Sequence, residues 1–169
     1  DRLVRAISRS AGAAPRSRRF IETRLTGAFI VEPEPRGDER GYFERVWCAN
    51  ELAARGLNGA FVQCNGSFSV ARGTLRGLHY QRAPYMEVKL VRCIRGAVFD
   101  VVVDLRRESP SYLAWFGVEL TADRRNMVYV PEGCAHGYLT LEDRTEVMYP
   151  VSQFYHPDAE QGIRWDDPR

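Results

Sequence analysis

The feature that most limits what this chain can fold into is its cadence of short strand-like runs. From residue 60 onward, segments rich in Val, Ile, Phe and Tyr are broken by Gly, Pro, Asp or Ser at spacings of roughly 8 to 12 residues, the pattern of a β-sandwich or barrel. The cleanest run is 97–105. Phe99, Val101, Val103 and Leu105 fall on one face, and Val98, Asp100, Val102 and Asp104 on the other. Strands are expected at 61–63, 66–71, 74–81, 86–94, 115–120 and 126–130, the last closed by Pro131-Glu132-Gly133. Arg95-Gly96 reads as a hairpin turn, and 137–141 with 145–150 as a further strand pair. Upstream, Phe29-Ile30-Val31 ends in the proline-broken Glu32-Pro33-Glu34-Pro35, and 42–47 can be a strand. One helix is expected, with Asn50 as N-cap and Gly56 as stop. About ten strands with one or two short helices make an all-β domain over 20–169, with no repeat or linker and a barrel mouth that can hold a ligand.

Charge narrows the function. Residues 1–19 carry six arginines against Asp1, a net +5 in a chain of net +2, so residues 20–169 are left at −3. A mildly acidic domain is not expected to bind nucleic acid. No apolar run reaches membrane-spanning length. The Arg-rich head superficially matches a transit peptide, but a flexible leader or an upstream extension of the reading frame is the expectation, since the sequence begins at Asp1 and not at methionine. Cys48, Cys64, Cys93 and Cys134 form no Cys-x-x-Cys pair and read as reduced, structural thiols of a cytoplasmic protein.

One segment concentrates chemistry. Arg76-Gly77-Leu78-His79-Tyr80-Gln81 is followed, ten residues after the histidine, by Lys89, and residues ten apart can face each other across a hairpin. Histidine titrates near neutrality. Arginine has the fork geometry for phosphate. A charged lysine in a pocket suits a developing oxyanion. On these residues alone a solvated basic patch remains an alternative.

The ordered motifs then carry a resemblance. Asp38-Glu39-Arg40-Gly41, Val62-Gln63-Cys64-Asn65, Leu75-Arg76-Gly77-Leu78-His79-Tyr80-Gln81, Lys89-Leu90-Val91-Arg92, Ser109-Pro110, Val130-Pro131-Glu132-Gly133-Cys134-Ala135-His136-Gly137-Tyr138 and Trp165-Asp166-Asp167-Pro168 together resemble the dTDP-4-dehydrorhamnose 3,5-epimerases from about residue 25 onward. The resemblance implies a cupin-type jelly roll, usually a homodimer, acting on a dTDP-4-keto-6-deoxyhexose in rhamnose-type biosynthesis without metal or other cofactor. It implies His79 as base, Lys89 as stabiliser of the C4 oxyanion and Tyr149 as the acid that reprotonates the sugar. A phenol suits that task, because it is protonated at pH 7. Arg40 and Arg76 match diphosphate-contacting arginines. Gln63, Asn65, Tyr155 and Glu160 match nucleotide- or ligand-contacting positions. Asp100 and His136 match a second polar pair, and Asp100 lies on the less apolar face of its run.

The chain departs from the family pattern at three points. Cys64 stands where an aspartate is usual. The pattern Arg-Gly-x-Phe-x-Glu reads Arg40-Gly41-Tyr42-Phe43-Glu44-Arg45, so the acid sits one place early and strand alternation would turn it to the other face. The aspartate that usually partners the catalytic histidine lies beyond the Trp-Asp-Asp-Pro region, and the sequence stops at Arg169. Either the sequence ends short of that group, or another group orients His79, or the chemistry is altered. Competing readings are a C3-only epimerase or related 4-keto-deoxysugar isomerase, a non-catalytic nucleotide-sugar binder, and a metal-dependent cupin recruiting His79, Glu87 and His136, with His156 near the tail. The last lacks the His-x-His pair such sites use.

Overall fold

In a computed structural model, residues 18–168 are described. The expected Arg-rich head therefore lies mostly outside the described residues. Its last two arginines do not: Arg18 is 6% exposed and ion-paired to Glu51, and Arg19 opens the first strand.

Thirteen strands form among the described residues: β1 (Arg19–Glu22), β2 (Phe29–Glu32), β3 (Arg36–Asp38), β4 (Gly41–Phe43), β5 (Gln63–Ser69), β6 (Leu75–Gln81), β7 (Lys89–Arg95), β8 (Ala97–Asp104), β9 (Trp115–Thr121), β10 (Met127–Val130), β11 (Cys134–Thr140), β12 (Thr145–Val151) and β13 (Glu160–Gly162). They build a six-stranded sheet in the order β1-β2-β10-β7-β12-β5, a five-stranded sheet in the order β13-β6-β11-β8-β9, and a separate hairpin β3-β4. Each of these pairings is antiparallel. The two large sheets make a cupin-like jelly roll, the all-β architecture that the strand cadence and the resemblance led us to expect.

Two expected local pairings fail, for one reason. From β5 to β13 every connection except β8–β9 passes from one sheet to the other. Arg95-Gly96 is thus a corner between sheets, with Gly96 at φ +74°, and not a hairpin turn. Likewise β11 and β12 are not partners. The helix α1 (Ala49–Ala53) starts earlier than expected: Cys48 is the N-cap residue, with no side-chain cap, and Asn50 lies inside. Gly56 does end the segment, at φ +69°. The strand expected over 42–47 stops at Phe43.

The main core lies between the sheets. Val91 and Cys93 of β7, Val98 and Val102 of β8, Leu120 of β9 and Val147 of β12 pack there, each fully buried. A second cluster covers the outer face of the six-stranded sheet, where Leu52 of α1 meets Val31, Leu90, Met127 and Tyr129. Strand alternation explains both. In β7, Lys89, Val91 and Cys93 point inward, while Leu90 and Arg92 point to the outer side. At one end of β8 the buried Asp104 accepts hydrogen bonds from Arg106, Ser109 and Ser111. Burial alone would push its carboxyl pKa up, but these donors outweigh it and hold the group ionised well below the usual range. No helix among the described residues is long and apolar enough to cross a membrane.

Candidate active site

A cavity of about 390 Å³ opens between the sheets. Arg76 and His79 of β6, Lys89 of β7, His136 and Tyr138 of β11, Tyr149 of β12 and Ser67 of β5 line it. His79 and Lys89 do share this cavity, but not as hairpin partners. β6 and β7 belong to opposite sheets, so the two side chains meet across the sandwich.

Arg76 and His79 are three apart, and a regular strand would send them to opposite faces. A bulge in β6 corrects this. Tyr138 is paired with Arg76 and His136 with His79, so one residue of β11 spans two of β6. Gly77 makes the bulge feasible. It has φ +113°, and a Cβ there would lie 2.5 Å from the Gly137 Cα and 2.8 Å from the His136 carbonyl oxygen. Gly137 is tied in turn, since a Cβ on it would lie 2.6 Å from the Arg76 carbonyl oxygen. The guanidinium of Arg76 donates to Ser69 Oγ at 3.1 Å and to the Phe68 carbonyl at 3.1 Å.

Asp100 is fully buried and faces inward, as expected from its strand face. Its Oδ2 lies 2.7 Å from His136 Nε2. Burial pushes the Asp100 pKa up, against the lowering influence of His136 and Lys89. Lys89 Nζ lies 3.2 Å from Glu87 Oε1. The Tyr149 hydroxyl is raised above the ordinary tyrosine value, chiefly by burial and further by Tyr138 and Glu87. Burial also raises Tyr138, whose hydroxyl donates to Ser67 Oγ at 2.9 Å. The His79 ring is exposed and has no hydrogen-bond partner among the described residues.

The other expected residues divide. Gln63 and Asn65 point to the same face of β5 as Ser67. Gln63 Oε1 accepts from the Tyr155 backbone N–H, and the Tyr155 hydroxyl donates to Glu160 Oε2 at 2.6 Å. Glu160 stands at the edge of the five-stranded sheet, where β13 pairs it with Gln81 and pairs Gly162 with His79. Cys64 is exposed on the opposite face of β5, so its departure from the family pattern leaves the cavity unchanged.

Arg40 is not in the cavity. It is 83% exposed on the β3–β4 hairpin, paired with Asp38. The hairpin is rooted by Glu44, which is 8% exposed and ion-paired to Arg92 at 3.1 Å and Arg125 at 3.4 Å. Arg92 belongs to the outer side of the six-stranded sheet, away from Lys89. The shifted acid thus anchors the hairpin, while Arg45 pairs with Glu51 at 3.6 Å.

Sequence reasoning missed Ser67, Tyr138 and the part Glu87 plays beside Lys89. Tyr138 had a signal, since it closes the His136-Gly137-Tyr138 motif; Ser67 had none. Among the described residues no three His, Cys, Asp or Glu side chains stand together as metal ligands. A larger, mostly apolar groove of about 790 Å³ lies on the outer face of the five-stranded sheet, lined by residues such as Phe99, Val101, Leu139 and Trp115, with no histidine or lysine.

A jelly roll with a small polar cavity of convergent His, Lys, Arg and Tyr side chains between its sheets defines a cupin with a small-molecule site. A family model described as dTDP-4-dehydrorhamnose 3,5-epimerase matches residues 22–169. A dTDP-4-dehydrorhamnose 3,5-epimerase of Methanothermobacter thermautotrophicus is 51% identical over 150 residues, covering 89% of this chain and 80% of that one. The crystal structure of a Bacillus anthracis dTDP-4-dehydrorhamnose 3,5-epimerase with TDP and PPi bound has a TM-score of 0.87 at 41% identity, covering 90% of this chain and 87% of that one. A Legionella pneumophila dTDP-6-deoxy-D-glucose-3,5-epimerase in complex with dTDP-4-keto-L-rhamnose has a TM-score of 0.84 at 38% identity, covering 90% of this chain and 80% of that one. The chain belongs to the dTDP-4-dehydrorhamnose 3,5-epimerase family.

Proposed function

We propose that this chain is an epimerase that inverts C3 and C5 of dTDP-4-keto-6-deoxyglucose. The observation that carries the reading is the meeting of His79, Lys89, Tyr149 and Arg76, from three strands of two sheets, in one cavity. The C4 ketone makes the neighbouring C–H bonds acidic. His79 takes the proton, and the electron pair moves to the C4 oxygen as an enolate. Lys89 stabilises that oxygen with its charge. Tyr149, kept protonated by burial, delivers a proton to the opposite face. Asp100 fixes the tautomer of His136 through Nε2, leaving its other ring nitrogen for the sugar. The ketone and Lys89 together supply what a metal would, so the reading includes no cofactor.

Arg76 anchors the diphosphate, which positions the ring for proton transfer. Gln63, Asn65, Tyr155 and Glu160 serve the nucleoside end. The protein works as a homodimer in the cytoplasm, where its four free cysteines stay reduced. Arg40, rooted on the outer side of its own six-stranded sheet, serves the diphosphate of the partner's cavity.

The test is incubation with the dTDP-4-keto sugar in D₂O, with deuterium followed at C3 and C5 by NMR and His79→Ala as control. Exchange at both carbons, lost in the variant, is the expected result. Exchange at C3 alone would make the protein a C3-epimerase. Nucleotide binding without exchange would make it a non-catalytic binder.

A further inference from the structure

Lys89 is the only lysine in the chain, against 23 arginines. A lysine offers a compact charge on a flexible four-carbon stem, and a flexible stem needs something to aim it. Glu87 is built to do so. It stands two residues before Lys89, so both side chains leave the chain on one face, while Val88 and Leu90, 3% and 2% exposed, turn into the outer cluster. Glu87 Oε1 lies 3.2 Å from Lys89 Nζ, with side chains 12% and 9% exposed. The backbone between them is held by Ser152 through two bonds: the Val88 N–H donates to Ser152 Oγ at 2.8 Å, and the Ser152 N–H donates to the Val88 carbonyl at 3.0 Å. Exposed ion pairs contribute little, but this one is largely withdrawn from water.

A second carboxylate, Asp100, also feels the charge of this ammonium. Asp100 is fully buried behind the cavity, and its Oδ1 has no hydrogen-bond partner among the described residues, Oδ2 being engaged by His136. A free Lys89 side chain would turn toward that oxygen, away from a sugar in the cavity. We infer that Glu87 is a positioning residue for Lys89: it holds the ammonium toward the C4 oxygen of the substrate and keeps it from collapsing onto Asp100. The inference rests on the reading of Lys89 given above, and it adds a group that does not line the cavity to the apparatus of that site.

The single lysine makes the claim measurable. With ¹³C-lysine labelling the protein shows one Cε signal. In the wild type its two ε-protons have distinct shifts, because the side chain is held. In Glu87→Gln they merge as the stem is released. In the same variant, kcat for inversion falls roughly 10- to 100-fold while KM stays within about three-fold, the pattern of a misplaced catalytic group. Glu87→Asp, which keeps the charge, recovers part of kcat. Distinct ε-proton shifts and kcat within about two-fold of wild type in Glu87→Gln would overturn the inference, and so would a rise in KM alone, which marks a direct substrate contact. A melting curve accompanies both variants, and if Glu87→Gln unfolds, Glu87→Asp is judged by the same two readouts. The lysine spectrum needs no substrate. If the wild type fails to exchange the sugar protons, the proposed function fails while the spectrum still decides the role of Glu87.

Discussion

Tyr149 shows how one residue separates the two halves of the proposed reaction. Its half-buried hydroxyl has a pKa above the ordinary value near 10, so it is protonated across the physiological range and is lost as a donor only in stronger alkali. His79 is exposed, so a proton it has taken can exchange with solvent. In Tyr149→Phe, His79 still removes a proton and returns deuterium to the same face. The variant should therefore incorporate deuterium from D₂O with configuration retained, while inversion falls by about 10²- to 10⁴-fold. NMR of the recovered sugar reads both. Loss of exchange and inversion together would assign Tyr149 to binding or packing. At this scale the sequence was legible where a motif named a residue type. It was not legible for Glu44 and Arg45. Their one-place shift looked like the loss of a substrate contact, and only the ion-pair partners Arg92 and Arg125 reveal an anchor.

Among the elements, β6 matters most, because its bulge turns both Arg76 and His79 toward the cavity. The strand was legible from its alternation, but the bulge was not, because it depends on Gly77 and Gly137 meeting across two strands sixty residues apart in the chain. The same non-locality misled the hairpin readings. A period of two identifies a strand but says nothing about which sheet it joins, and in this topology the sequence neighbour is usually in the other sheet. Gly77→Ala tests the bulge. A side chain at φ +113° that meets backbone at 2.5 Å must shift the strand, and it should cost about 2–4 kcal/mol of stability by denaturant unfolding. Activity should fall further than the folded fraction does, because His79 and Arg76 move together. Full activity in the folded fraction would show that the cavity tolerates a shifted β6.

The whole molecule raises the question of where Arg40 acts. The sequence motif grouped Arg40 with Arg76, yet the fold roots its hairpin on Arg92 and Arg125, outside the sheet whose inner face carries Lys89. All three residues of β3 and all three of β4 are exposed, and although the Arg125 guanidinium stacks over Tyr42, Tyr42 at 57% and Phe43 at 70% still leave apolar surface in water. The homodimer proposed above would account for both points, since a C2 interface lets each protomer lend its hairpin to the other. Mixed dimers can decide the matter. Arg40→Ala and His79→Ala each inactivate every site in their own homodimers. In a heterodimer of the two, exchange of hairpins leaves one cavity with both residues intact and the other with neither. Equal mixing with free subunit exchange should then restore roughly a quarter of wild-type activity, because half the dimers are mixed and half the cavities in each are complete. If Arg40 serves its own cavity, no combination contains a complete site and activity stays at background. The recovered fraction therefore reports which cavity each hairpin completes.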